Sequence, residues 1–497
     1  MSYTVDHEPL YADSVTGQDL IYSLSSSEAL VGTNYKYKYT VTISTGYGSP
    51  AGTMTEVAFL LFSPNKDGMG IIDVSNVIGE FVHSDNTGQD LFASPSEYKG
   101  VDYNRYNAPH PIHLIDCYCL SDKIAVNYTL EFGEQWATTP TGLVTWVTAG
   151  GSTDREGLLF NGTDYGEEQE LRLGNYGINL KAWRTNTYAF PPVKQRFISY
   201  SGSGQQRFLT TYPASQDGTH FNQLMQEDNY HTIAFTAGWW IGYANLSASI
   251  QIQFYDRAGV SLLDYNEDMT PANGGYDGSG DTGYKETAKQ IQYFGCGIAN
   301  LKGRGVTIPA TWDTYTILLH DGTAGTPTPL SNKYNFKKQD ADCKGFETIR
   351  LTWLNKLGAW DYYNFTKKSL RSTNIKRPEF NKTIGRWNSG GYSKASFERG
   401  RAVLETAANE TIKCNSDWFR NDEEAEWIEQ LFISNEVYML GGYNSEDNGA
   451  SGAEFGQYIT PVIVKSKKYE RYTEANDKVA QYDIEISYAY NKRVQKA

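Results

Sequence analysis

His110 and His113 stand three residues apart in NAPHPIHLID, a spacing that can share a metal ion when one helix carries both rings. Pro109 and Pro111 bar a helix there, and no glutamate follows the first histidine to serve as a general base, so a metal site is not expected. Asp264, Asn266 and Asp268 in LLDYNEDMT open like a calcium loop, with oxygen donors at positions one, three and five. Met269 occupies the place of the turning glycine and Gly275 the place of the bidentate glutamate, so this stretch reads as a surface turn. Two carboxylates from distant strands could hydrolyse a glycan, yet nothing in the spacing marks a pair. The sequence has no Gly-x-Ser-x-Gly elbow, phosphate-binding loop or dinucleotide fingerprint. No catalytic residue, metal or cofactor is assigned, and the chain reads as non-enzymatic.

Aromatic residues are the other chemical resource. The chain carries 37 Tyr, 21 Phe and 11 Trp. Trp239, Trp240, Tyr243, Tyr276, Tyr284 and Tyr443 could stack on sugar rings, whereas cores and subunit interfaces use the same residue types for the area they bury. Trp353, Trp360, Trp427, Tyr482, Tyr488 and Tyr490 are the candidates for contacts with other subunits.

The elements that position these residues read mostly as strands. In YKYKYTVTI, Tyr35, Tyr37, Tyr39, Val41 and Ile43 share one face against Lys36, Lys38, Thr40 and Thr42. The apolar run EVAFLLFSP suggests a strand buried on both faces, closed by the turn Asn65-Lys66-Asp67-Gly68. Asp73 can cap a short helix with Val74, Val77, Ile78 and Phe81 along one side. Ile250, Ile252 and Phe254 alternate with polar neighbours, and QIQYFGCGIANL and TYTILLH read as further strands. The turn-rich segment 271–284 reads as an exposed loop. Two strands at 347–354 and 359–366 form a hairpin around Asn355-Lys356-Leu357-Gly358. Asn421 and Glu424 have the spacing of a capping box ahead of the stripe Trp427, Ile428, Leu431 and Phe432, the clearest helix of the chain. Tyr482, Ile484, Ile486, Tyr488 and Tyr490 alternate with Asp483, Glu485 and Ser487 in a terminal strand.

The fold class expected is therefore mainly β and multidomain. It comprises a β-sandwich-like domain over 1–135, a middle β domain over 136–325, and a C-terminal sheet crossed by one α-helix over 326–497. A chain of 497 residues suits several cores. Five unpaired-looking cysteines read as reduced and buried, and no apolar stretch is long enough to span a bilayer. The formal charge of −14 argues against a surface built to neutralise nucleic-acid phosphates. Residues 331–400 nevertheless carry 15 Lys/Arg against 6 Asp/Glu, a net of +9 that leaves −23 on the remainder. A basic segment on an acidic body suggests electrostatic docking between neighbours.

Four segments carry a resemblance: SPNKDGMGIIDVSNVIGEFV, IRLTWLNKLGAWDYYNF, NSDWFRNDEEAEWIEQLFISNEVYML, and PVIVKSKKYE with DKVAQYDIEISYAYNKR. They resemble a family of tail-associated virion structural proteins of tailed bacteriophages, particularly those of Bacteroidetes-type hosts. The resemblance implies a virion protein made in the host cytoplasm. By analogy with distal-tail and hub subunits, which share a sheet with one crossing helix, it implies a ring or tip component. The partners so implied are other copies of the chain and neighbouring tail proteins. The alternative reading is a tail adaptor that contacts host-surface glycan. Sequence-specific nucleic-acid binding and membrane insertion are not expected.

Overall fold

The computed structural model describes residues 3–9, 13–17, 19–46, 54–82, 119–120, 125–148, 155–161, 208–213, 222–235, 249–268, 292–303, 305–320, 329, 331, 333–339, 346–356, 358–387, 390–419, 421–440, 459–469 and 480–489. The chain is mainly β and forms two compact units. The first comprises Met1–Ala341, Trp353–Tyr363 and Gly442–Gly456; the second comprises Asp342–Thr352, Asn364–Gly441 and Gln457–Ala497.

In the first unit, the long strand Tyr35–Gly46 lies between Ala125–Ala137 and Thr55–Phe62, and Arg155–Phe160 and Asp13–Val15 extend the sheet beyond Ala125–Ala137. A second, three-stranded sheet of Tyr3–His7, Ile21–Ser26 and Met69–Asp73 faces it. The alternation expected from Tyr35 is present from Tyr37 onward; Tyr35 itself is exposed, beyond a register shift between Tyr35 and Lys38. Tyr37, Tyr39, Val41 and Ile43 are buried with Tyr22, Leu24, Tyr128, Leu130 and Phe132 between the two sheets, each apolar side chain contributing about 1.5–3 kcal/mol. The result is a β-sandwich-like layer pair. Asp73 accepts hydrogen bonds from the amides of Leu20 (3.0 Å) and Ser75 (2.9 Å), so it caps the one-turn helix Ser75–Gly79 and ties it to the sandwich.

Thr55–Phe62 corrects one expectation. It is the edge strand of its sheet, and Phe59 and Leu61 face solvent, because an unbroken apolar run does not reveal how many of its faces are covered.

The first unit also holds a five-stranded sheet in the order Gln223–Met225, Tyr334–Lys338, Thr314–His320, Ser249–Tyr255, Ser261–Asp268. Ile250, Ile252 and Phe254 point into a core with Tyr315, Ile317, Leu319, Phe294 and Trp312. QIQYFGCGIANL divides: Gln292–Gly295 is a strand, but Ile298–Gly303 turns into a helix whose Ile298 and Leu301, three apart, enter that core. LLDYNED is likewise no turn. It lies within the strand Ser261–Asp268, paired along Ser249–Tyr255, where Asp264 accepts the side-chain amides of Gln251 and Gln253.

The expected hairpin is present as Ile349–Leu354 and Trp360–Phe365, closed by bonds from the Asn355 amide to the Ala359 carbonyl (2.7 Å) and from the Gly358 amide to the Asn355 carbonyl (3.1 Å). Its tip belongs to the first unit. Asn355 donates to the Leu209 carbonyl (2.9 Å) and to Asp361 (3.1 Å), Thr210 donates to Asp361 (2.7 Å), and the hydroxyls of Thr232 and Tyr362 lie 2.6 Å apart. These groups are buried, and their mutual bonds offset the cost of removing them from water.

Within the second unit the strand order is Val437–Leu440, Ile459–Val464, Asp483–Tyr488, Ala407–Asn415, Leu370–Lys376. Helix Asp422–Ile433 buries Ala425, Trp427, Ile428 and Leu431, as its stripe requires, while Phe432 is half-buried. Asn421 takes the extended N-cap conformation but makes no side-chain capping bond. Three carboxylates in the first turn, Asp422, Glu423 and Glu424, favour that helix end electrostatically instead. Tyr482 joins helix to sheet: its hydroxyl donates to Glu429 (2.5 Å), and its ring lies 6.0 Å from that of Phe432.

Cys296 and Cys414 are buried thiols outside any disulfide. Burial pushes the Cys414 thiol up to about 12. We therefore expect an alkylating reagent at pH 8 to leave Cys414 unmodified in the folded protein and to modify it within minutes in denaturant, read by peptide mass spectrometry. Labelling of Cys414 at equal rates in both conditions would contradict this packing.

Candidate assembly surface

Between two strands of the second unit's sheet the chain makes an excursion, residues 377–406, that has little core of its own. Leu370–Lys376 pairs with Ala407–Asn415 from Leu370 opposite Lys413 to Lys376 opposite Ala407, and among the described residues its other side ends the sheet. All seven of its residues are exposed. Such a strand presents a row of main-chain donors and acceptors that a second chain can pair with.

Beyond it, Glu379–Asn381 pairs with Arg401–Val403, and the Leu404 amide donates to the Pro378 carbonyl (2.8 Å). Arg386 bridges Ser393, and the rings of Trp387 and Tyr392 lie 4.9 Å apart. Gly385 makes the tight turn possible. Its φ of +89° suits glycine, a Cβ there would stand 2.4 Å from the Tyr392 ring, and its amide donates to Glu398 (2.7 Å). The excursion is thus ordered by local bonds while its large apolar side chains face solvent: Phe397 is 83% exposed, Trp387 67% and Leu404 63%. Singly exposed apolar residues are ordinary; three large ones on one short segment make it a candidate for contact.

The charge of the segment is equally one-sided. Residues 370–405 carry eight Lys/Arg and three Asp/Glu. Arg371 is held by Glu347 (2.5 Å) and Glu410 (3.5 Å), and Arg401 pairs with Glu379. Among the described residues no carboxylate pairs with Lys376, Arg377, Lys382 or Arg386.

The aromatic residues expected at subunit contacts lie elsewhere. Trp353, Trp360, Trp427 and Tyr482 are buried inside the chain, so their rings cannot meet a partner without opening a core. Tyr488 is half-buried beside Arg371, which donates to its hydroxyl (3.1 Å), and Tyr490 lies outside the described residues. Asp483–Tyr488 is also a central strand, flanked by Ile459–Val464 and Ala407–Asn415, so it needs no covering partner. Sequence reasoning located the basic segment but missed its strands, because LRSTNIK has no two-residue apolar period and EFN and RAV are too short to show one.

The aromatics weighed for glycan contact, Trp239, Trp240, Tyr243, Tyr276, Tyr284 and Tyr443, lie outside the described residues, as do His110, His113 and loop 271–284. A different aromatic pair is presented on the outer face of the first sheet. Trp146 and Phe59 meet edge-to-face at 5.5 Å, and the Trp146 indole donates to Thr40 (3.2 Å). Within that sandwich, buried Glu134 accepts from Tyr37 (2.6 Å) and Ser26 (2.9 Å). Burial, reinforced by the neighbouring carboxylate, holds the Tyr37 phenol far above its usual range, so it remains a donor that ties three strands together. Among the described residues, no group of three His, Cys, Asp or Glu could hold a metal ion, and no helix is long and apolar enough to cross a membrane.

The arrangement defines a mainly β protein of several antiparallel sheets with a β-sandwich-like layer pair. No family model and no curated protein matches the chain. Among solved structures, it is similar to trypsin-activated alpha-2-macroglobulin from Escherichia coli, with 7% identity over 84% of this chain and 19% of that one at a TM-score of 0.18. The native conformation of the same E. coli protein gives 7% identity over 84% of this chain and 22% of that one, with a TM-score of 0.17. The BSP domain of a biofilm associated protein gives 9% identity over 84% and 64%, with a TM-score of 0.14. The chain spans about a fifth of the length of the alpha-2-macroglobulin structures, and TM-scores this low carry no functional argument.

Proposed function

We propose that the chain is a structural subunit of a tailed-bacteriophage virion, built into the tail as part of a ring, hub or tip through contacts with other copies of itself and with neighbouring tail proteins. The observation that carries this reading is the exposed, basic, aromatic segment 370–405, whose edge strand and apolar side chains are poorly suited to a free monomer. The four sequence segments that resemble tail-associated virion proteins supply the setting. Assembly would take place in the host cytoplasm. No catalytic step is required, since the work of such a subunit is geometric. The test is the particle itself: protein mass spectrometry and side-chain-resolution electron microscopy of purified virions should find the chain in several copies around the tail axis. Absence from the particle would remove the proposal.

A second reading, a tail adaptor touching host glycan, is favoured by Trp146 and Phe59 on the outer sheet face. On that reading Trp146→Ala lowers retention on immobilised host polysaccharide about tenfold, as expected for loss of one stacking ring, and leaves the unfolding midpoint within a degree or two of the original. Equal retention of both proteins would exclude this face.

A further inference from the structure

The segment 370–405 has a counterpart elsewhere in the chain. Among the described residues Ser261–Asp268 ends the five-stranded sheet of the first unit, pairing on one side only, along Ser249–Tyr255. Its sequence, SLLDYNED, contains three carboxylates and no cation, and Val260 and Leu262 beside them are exposed. Among the described residues Asp264 meets amide donors from Gln251, Gln253 and Asn266 but no cation. Leu370–Lys376 is its inverse, an edge strand with Arg371 and Lys376, followed by Arg377, and no carboxylate within it. Because side chains alternate along a strand, Arg371 and Lys376 point to opposite faces, as do Asp264 and Glu267. The acidic edge therefore carries charge on both faces, whereas on the basic edge Arg371 is already held by Glu347 and Glu410 and the charge left for a partner is that of Lys376 and Arg377.

Like-charged edges repel, so two copies joined by the same edge on each side would set Lys376 and Arg377 against their own kind. Opposite edges attract, and strand addition would supply main-chain hydrogen bonds as well. We propose that Leu370–Lys376 of one copy adds to Ser261–Asp268 of a second copy, a head-to-tail contact in which the basic edge docks on the acidic edge. Because the two surfaces differ, each copy keeps one of each free, and the contact propagates into a closed ring or an open filament instead of stopping at a dimer. The inference rests on the reading of the chain as a self-assembling subunit and names the two surfaces that meet.

The test uses charge exchange in the full-length protein, followed by sedimentation velocity over a concentration series. The wild-type chain should form oligomers larger than dimers. K376E/R377E alone and D264K/E267K alone should each need about 30-fold more protein to associate, since like charges then face each other. An equimolar mixture of the two variants should associate as wild type does, because every reversed edge finds a reversed partner; that recovery also shows both variants to be folded. A monomeric wild type, wild-type association by either variant alone, or no recovery on mixing would each overturn the head-to-tail contact. Presence in the virion is a separate measurement, so the contact can fail while the tail assignment stands, and a particle lacking the chain removes the assignment without touching the solution result.

Discussion

Gly358→Ala is expected to lower the stability of the first unit by about 3 kcal/mol, combining roughly 1–2 kcal/mol for a left-handed backbone at a non-glycine residue with a main-chain collision. Gly358 has φ +78°, and a Cβ there would stand 2.2 Å from the Asn161 carbonyl oxygen. Neither atom sits on a flexible side chain, so relief requires the hairpin tip to move. That movement would pull Asn355 from the Leu209 carbonyl and Asp361 from Thr210, exposing buried polar groups to loss of their partners. Urea unfolding followed by tryptophan fluorescence reads the change, with Gly32→Ala as control, since nothing lies within 4 Å of a Cβ at Gly32. An unchanged midpoint for Gly358→Ala would show that the close approach to Asn161 is not needed.

Trp427→Ala should cost the second unit about 4 kcal/mol, within the range for emptying a large aromatic site in a core. Trp427 is 1% exposed on the inner side of Asp422–Ile433, with Ile428 and Leu431 beside it. The helix has no side-chain cap bond at Asn421, so packing holds it more than its ends do. Helical circular dichroism should fall at a lower temperature in the variant, while Trp418→Ala, at a residue 60% exposed, should leave the transition within about 0.5 kcal/mol of wild type. Equal effects of the two substitutions would mean that the helix does not dock through Trp427.

The contrast between these two tryptophans also explains what the sequence could and could not reveal. Period carried the information where one face of an element is covered. Tyr37 to Ile43, Ile250 to Phe254 and Trp427 to Leu431 were legible because burial imposes a spacing of two or of 3.6. Neighbourhood was not legible. EVAFLLF has the apolar content of a central strand but lies at an edge, and LLDYNED has the oxygen spacing of a turn but is held straight by Ser249–Tyr255. Asn421 has the right identity for a cap, yet whether its side chain closes on the helix depends on a rotamer that spacing does not determine.

The excess of positive charge over 331–400 includes the exposed segment 370–405, whereas the aromatic residues singled out by pattern, Trp353, Trp360, Trp427 and Tyr482, are buried. Trp353, Trp360 and Trp427 stand in strongly patterned elements, and strong patterning is the signature of a core. Phe397, Trp387 and Tyr392 stand among glycines and serines without period, which is how an exposed aromatic is written.

The interleaving of the two units governs the order in which the chain can fold as it is made. Thr210 bonds to Asp361 across 151 residues of sequence, and Trp353–Tyr363 joins the first unit only after the strands of its Met1–Ala341 part have been made. At about 5–20 residues per second, Thr210 leaves the ribosome roughly 8–30 s before its partner. During that interval the sandwich around Tyr39 and Phe132 can close, because all its strands are already made, while the pocket awaiting the hairpin stays open to water. The nascent chain therefore passes that interval with the buried polar network around Asp361 incomplete, and a translation stall upstream of residue 353 would hold it in that state.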